Sequence, residues 1–507
     1  MQELIERGKK QALALYENEE YAKANRLLSQ GIKTFVDEDG YFSLLGMVES
    51  RQGKHREALA HFKQANEINP SAEHLNNIGL SWQAQGNTRA AIDHFKQAID
   101  GNEKFIPAYS NLADEYQKKG NTEEAITLLK QAVTIDPSAA YAWFNLGNMH
   151  GDNLWIEAAV AAHQKAVELE PENPAYQFNY ANGLLLLGRW KEGWEHFKHR
   201  GGLFPQFHLK QKALMEVAPA WNGQDLTDKR LYLYCVEGDG DFIQLIRFAK
   251  VLEEMGATVI VETPPNLQEL FVGVAGISEI APVQNKYKVR KGEPNKPFKF
   301  ELDMDTLPTF DFHCELAELP RLLEITPDNI PDQPYIKSQT QHKPLASKTK
   351  LHVGLCWGGN PIHANDSNRS CPLKHFEPLS TMPNVMLFCL QKDQRQRHWE
   401  GVGKVDLMEG ANFDMSDATE SFTDYDSTAY WISQLDIVVT VDTSIAHLAG
   451  AMGKPCFLLL PFAPDWRWML KTERTPWYPS MFLFRQQKAG DWEAVIKNVV
   501  VAIDSIT

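Results

Sequence analysis

Three loops in the second half of the chain gather the residue types that a transfer reaction at phosphate would use. In Glu237-Gly238-Asp239-Gly240-Asp241 the glycines allow a ligand to approach the backbone closely. Asp241 stands where a helix begins, so it reads either as a helix cap or as a general base toward an acceptor hydroxyl. A longer polar loop runs from Trp357 through Asn360, His363 and Asp366 to Arg369 and Ser370. Arg369 suits two-pronged capture of a phosphate, or is a solvated loop arginine. The sharpest signal is Val441-Asp442-Thr443-Ser444-Ile445-Ala446-His447. An apolar strand there runs into hydroxyl residues and a helix of small side chains. The unpaired N–H groups of such a helix start, with the Thr443 and Ser444 hydroxyls, would cradle phosphate, and His447 would lie one turn in. The plainer reading is a capped helix with a structural histidine. Past the next strand, Trp466, Trp468, Trp477 and Tyr478 either stack on a nucleobase or sugar or pack between lobes.

All of these loops follow predicted strands, and strand–loop–helix alternation predicts parallel-sheet units. Residues 231–237 and 257–263 read as strands, 310–325 as a strand end, loop and helix. The polar, proline-rich stretch 326–350 reads as a connection. The pattern then restarts with strands at 351–357, 384–391, 435–442 and 454–462 and a closing helix from about Asp491. Two successive α/β lobes with a crevice beyond the strand ends are the expectation.

The first 200 residues carry a repeat. Ala24, Ala58, Ala91, Ala125 and Ala159 are spaced 34, 33, 34 and 34. A second small series follows at Gly31, Ala65, Ala98, Ala132 and Ala166, with Leu28, Phe62, Phe95, Leu129 and His163 between. Pro70, Pro137 and Pro171 close helices. This spacing resembles the tetratricopeptide pattern, in which paired helices stack into a solenoid with a concave face. A sixth, degenerate unit continues to about Arg200. Packing does not explain one column, Asn77, Asn111, Asn145 and Asn179, spaced by 34 throughout. Asparagine is a mediocre helix former, but its amide matches the donor and acceptor of an extended peptide. The column resembles the asparagine ladder of the eukaryotic O-GlcNAc transferases, which hold acceptor polypeptides by their main chain. The plainer reading is that asparagine is common at this place in such repeats.

The balance of 51 Lys and Arg against 66 Asp and Glu gives a net charge of −15, which argues against capture of a nucleic-acid backbone. No window has the ~20 apolar residues of a membrane span, and the opening MQELIERGKKQALALYENEE does not read as a secretory leader. The six cysteines, from Cys235 to Cys456, are scattered and form no metal-binding pair. A soluble, cytoplasmic protein without a metal or cofactor is expected.

Residues 230–485 resemble the bacterial glycosyltransferases fused to tetratricopeptide repeats, whose catalytic half is similar to the lipopolysaccharide heptosyltransferases. The likeness is carried by EGDGDFIQLIRFA, DFHCELAELPRLL, GLCWGGNPIHANDSNRSCPLKHF, LQKD, DYDSTAYWISQLDIVVTVDTSIAHLAGAMGKP and LLPFAPDWRW. It implies an α-solenoid over 1–203, then a GT-B fold: a Rossmann-like lobe over 204–337, a linker over 338–350 and a nucleotide-sugar lobe over 351–507. It further implies a metal-independent transfer of sugar from a nucleotide donor to Ser or Thr of an acceptor protein, flagellin being one acceptor in such fusions. Asp241 would be the base. Asn360, Arg369, Ser370, Lys392, Asp442, Thr443, Ser444, His447 and Trp466 would bind the donor, and Asn77, Asn111, Asn145 and Asn179 the acceptor. Ser444 replaces the glycine usual in heptosyltransferases, which leaves the donor open; some such fusions use nonulosonic acids carried on cytidine monophosphate. A carbohydrate-directed transferase and a non-catalytic scaffold remain as alternatives.

Overall fold

A computed structural model describes all residues except 1, 204, 285, 291–292, 341–348, 364, 393–395, 400–402, 418 and 507. The chain divides into two compact units, Met1–Glu172 and Asn173–Thr507.

The first unit is a row of antiparallel helix pairs: Gln2–Glu17 with Tyr21–Thr34, Asp39–Arg51 with His55–Ile68, Ala72–Ala84 with Thr88–Gly101, Ile106–Lys118 with Thr122–Ile135, and Ala140–Asp152 with Ile156–Leu169. The bulky column of each second helix packs onto a small residue of the first. A methyl placed on Gly79 would stand 2.4 Å from the Phe95 ring, and one on Gly147 2.2 Å from His163. Ala58, Ala91 and Ala125 are fully buried at the helix contacts. The turn inside each pair needs a left-handed residue, supplied by Gly53, Gly86 and Gly120. Glu19 and Leu154 occupy the same turn in the first and fifth pairs, at φ of 58°.

The second unit opens with a sixth pair, Pro174–Leu186 and Trp190–Phe197, and a helix at Pro205–Met215. The expected boundary at Phe204 lies outside the described residues; the compact unit already begins at Asn173. Strands β1 (Arg230–Tyr234), β2 (Thr258–Thr263), β3 (Glu279–Pro282) and β4 (Phe312–Glu315) form a parallel sheet in the order β3-β2-β1-β4. A second sheet holds β5 (Leu351–Cys356), β6 (Val385–Cys389), β7 (Ser416–Asp417), β8 (Ile437–Val441), β9 (Cys456–Leu460), β10 (Arg474–Thr475) and β11 (Tyr478–Arg485). Its order is β7-β6-β5-β8-β9-β11-β10, parallel except at β10. The central strands are apolar on both faces, as a sheet covered on both sides requires. Two antiparallel hairpins, Lys286–Arg290 with Glu293–Glu301 and Gln396–Trp399 with Gly403–Asp406, interrupt the alternation.

Most of the expected linker, 338–350, lies outside the described residues. The segment leading to it is laid along both sheets' helices: Tyr335 donates its hydroxyl to Ile243 O at 2.8 Å and its N–H to Ala451 O at 2.9 Å. Gln339 and Thr340 donate their N–H groups to the Asp426 carboxylate. No helix among the described residues is long and apolar enough to cross a membrane.

Candidate functional site

Two helices start facing one another at the carboxyl ends of β1 and β8. One, Asp239–Leu245, follows β1 through Gly238; the other, Ser444–Ala451, follows β8 through Asp442 and Thr443. They meet closely at Gly240, where a methyl would stand 2.9 Å from His447 Cδ2 and 3.5 Å from Ser444 Cα. Only glycine fits there. Tyr425 closes one side, donating its hydroxyl to Ser444 Oγ at 2.8 Å and its N–H to Asn266 O at 3.0 Å. Asn266 in turn donates to Asp239 at 2.9 Å.

Asp241 is partly exposed and has both oxygens engaged. Oδ2 accepts the Gly238 N–H at 3.0 Å, and Oδ1 accepts from Arg467 Nη2 at 2.5 Å. It is therefore helix cap and ion-pair partner of Arg467 at once. Arg467 also donates to Asp465 at 3.0 Å and to Gln244 at 2.7 Å, and lies over the Trp466 ring. In the sequence Arg467 is one cation between two indoles, Trp466 and Trp468, with nothing local to mark its partner. The signal was the alternation Asp465-Trp466-Arg467-Trp468 at the end of a buried strand.

Arg369 ends a single helical turn, Asp366–Arg369, and its guanidinium lies flat on Gly359, where a methyl would be 2.5 Å from Nε. That Nε is buried with no hydrogen-bond partner, and its nearest carboxylate, Asp366, is 3.7 Å away. Burial, with the neighbouring Asp465 carboxylate, pushes Asp442 up to about 6. Burial, reinforced by Arg467, Arg247 and Arg369, holds His447 well below the usual imidazole range. His447 is thus a neutral ring, with Nδ1 3.0 Å from Tyr478 Oη and its face on Trp468.

Other expected donor residues are placed differently. Ser370 is buried and spent on the loop: Oγ accepts the Gly359 N–H at 3.0 Å and donates to Asp366 at 2.8 Å. Asn360 is exposed and turns its side chain back on Ile362 N. Lys392 donates to the Phe422 carbonyl. Trp466 requires correction: it is only 6% exposed and packs edge-on against Trp194 and Trp190 of the sixth helix pair and against Trp477. Apolar area this large is more stable shared among indoles than turned to water. Trp468, Trp477 and Tyr478 are buried likewise.

Beneath the Asp241 loop, Arg200 is enclosed by three carboxylates. It donates to Glu237 at 3.0 Å, to Glu318 at 2.6 Å and to Glu315. Burial pushes Glu315 up to about 8, and one of its oxygens is buried without a hydrogen-bond partner. Burial and the Asp241 charge raise Glu237 as well.

Asn77, Asn111 and Asn145 lie half-buried on first helices of the first unit, whereas Asn179 belongs to the second. Asn111 donates to Asn76 Oδ1 on the neighbouring first helix at 2.7 Å.

Tetratricopeptide-repeat family profiles match residues 9–73 and 43–104, 113–153 and 140–173. The N-terminal region is a tetratricopeptide-repeat solenoid. Protein FlbA of Caulobacter vibrioides is 25% identical over 346 residues, 64% of this chain and 54% of that protein. The chain thus spans about half the length of the curated relative it matches, and the similarity extends beyond the repeats. Among solved structures, the Cut9–Hcn1 hetero-tetramer of the APC/C is 14% identical with a TM-score of 0.34, covering 39% of each chain. YrrB, described as a tetratricopeptide protein with an unusual peptide-binding site, is 18% identical with a TM-score of 0.26, covering 32% of this chain and 86% of that one.

Proposed function

We propose that this protein is a glycosyltransferase that moves a sugar from a nucleotide-activated donor to a Ser or Thr hydroxyl of a protein held by its repeats, flagellin being one such acceptor. The observation that supports this most is the meeting of the Asp241 loop with the helix that starts at Ser444, with Arg467 paired to Asp241. In the reaction the acceptor oxygen attacks the anomeric carbon, its proton passes to Asp241, and the bond from sugar to phosphate breaks. Charge then grows on a phosphate oxygen. Ala446 and His447 N–H already bond to Thr443 O, so the preceding amides of the helix start serve that oxygen. Arg369 adds a full charge, and His447 acts as a neutral ring beside them rather than as a cation. Holding the acceptor on the repeats raises its effective concentration, so modest affinity there is enough.

Two measurements test the reading. Calorimetry of the full chain with uridine diphosphate, guanosine diphosphate and cytidine monophosphate should find a binder, weakened by roughly tenfold, or about 1.4 kcal/mol, in Arg369→Met. Intact-mass analysis of candidate acceptors from cells with and without the protein should show an added sugar, lost in the Asn111→Ala/Asn145→Ala double variant while donor hydrolysis persists. The ion pair that ties Asp241 to Arg467 favours the second reading, a tetratricopeptide scaffold without chemistry. Absence of nucleotide binding together with unchanged acceptor masses would establish that one.

A further inference from the structure

Arg467 is committed along its whole guanidinium. Its three kinds of nitrogen each have a different partner: Nε donates to Gln244, Nη1 to Asp465 and Nη2 to Asp241. These partners are not equivalent. Asp465 and the Trp466 ring belong to the same turn as Arg467 and move with it, and Trp466 is anchored among Trp194, Trp190 and Trp477. Asp241 comes from the other sheet's helix and is the more exposed member of the ion pair, at 25% against 11% for Arg467. It is the exchangeable partner. Carboxylate and phosphate oxygens are interchangeable acceptors for a guanidinium fork, and the helix start that suits phosphate lies alongside, at the Gly240–Ser444 contact. Arg467 engages Oδ1 and the Gly238 N–H engages Oδ2, so a cation and a helix start hold lone pairs that an acceptor hydroxyl would also use.

We propose that Arg467 is a shared contact: it binds the phosphate oxygens of the donor, and in doing so lets go of Asp241, whose lone pairs are released from the guanidinium toward the acceptor hydroxyl once the donor is seated. This rests on the transferase reading above and adds to it a donor-binding residue and an order of events, donor before acceptor. It follows that donor phosphate and Asp241 compete for one guanidinium, so removing the Asp241 charge should tighten nucleotide binding even as it abolishes transfer.

The test is a double-variant cycle read by calorimetry on the full chain, with uridine diphosphate, guanosine diphosphate and cytidine monophosphate as probes. Asp241→Asn keeps an acceptor for the Gly238 N–H and should bind the preferred nucleotide about fivefold more tightly or better, the lower end of a usual coupling. Arg467→Met should bind it roughly tenfold more weakly, and in that background Asp241→Asn should no longer tighten binding. Equal tightening in both backgrounds would be simple charge relief and overturns the exchange. So does unchanged or weaker binding by Asp241→Asn while Arg369→Met still weakens it; that outcome leaves the nucleotide reading standing. If no probe binds any of the proteins, both readings fall. Should Arg467→Met fail to fold, Arg467→Lys takes its place in the cycle, since a point charge cannot hold Asp465 and phosphate through one planar fork.

Discussion

Glu315 carries a large electrostatic cost beside the site. Its carboxyl is pushed from 4.5 to about 8 by burial. The folded chain therefore holds a proton that the unfolded chain has released, and stability falls as pH rises between those values. Glu237, raised by burial and by Asp241, acts in the same direction. Glu318 is brought below its usual range because Arg200 and Arg321 outweigh its burial; its contribution is lost at acid pH instead. Glu315→Gln should flatten the decline in thermal midpoint between about pH 5 and 8, and a wild-type slope retained in the variant would place the proton elsewhere. Arg200→Met strands three acidic groups and should cost about 3–5 kcal/mol, measured by denaturant unfolding. Gly359→Ala tests the proposed anion site without touching a charge. Its methyl would collide with Arg369 Nε and Nη2, so nucleotide affinity should drop while the thermal midpoint moves little. Asp241, Arg369 and the Asp442–His447 run were legible because charge and hydroxyl residues sat at strand ends. Arg467 was not, since its importance comes from a partner 226 positions away.

At the scale of elements, the repeat was legible because each helix pair solves the same packing problem. The bulky column read from the sequence packs onto a small column of the first helices, Gly46 under Phe62, Gly79 under Phe95 and Gly147 under His163, which the alanine spacing did not single out. Phe95→Ala should cost about 3–5 kcal/mol. The turn column had a plain signal that spacing of alanines did not expose: Gly53, Gly86, Gly120 and Gly188, all at positive φ, with Leu154 completing the series under strain. Leu154→Gly should stabilise the solenoid by about 1 kcal/mol, visible in the denaturant midpoint of the first unit. Strands were found within a few residues of their ends, as at 437–441 against an expected 435–442. The Tyr425–Gln434 helix and the β11 strand were missed. The helix begins at an Asp424 cap, whose carboxylate accepts the Ser427 N–H. The strand mixes exposed and buried positions without strict alternation.

For the whole molecule, the sixth helix pair changes where the chain can be cut. By period it continues the repeats, but Trp190, Trp194 and Phe197 are seated against Trp466 and Trp477, and Trp194 donates to Ile325 O at 3.0 Å. A fragment of residues 173–507 should therefore be soluble and unfold cooperatively. A fragment of 204–507 exposes those indoles and also loses Arg200 from among its carboxylates; it should aggregate. Comparison of the two by size exclusion and thermal unfolding decides the point, and equal behaviour would return the pair to the solenoid.

The amino-acid sequence by itself determined the helix-pair repeat, the parallel α/β character of the second half and the polar loops that follow its strands. Those properties depend on periodicity and on neighbours along the chain, and periodicity is written locally. Only the tertiary structure decided that Trp466 packs rather than faces a ligand, that His447 is neutral, that Ser370 is spent on its own loop and that Arg467 grips Asp241. Each of these depends on which groups exclude water from a side chain or sit beside its charge, and contacts of that kind join residues far apart in the chain.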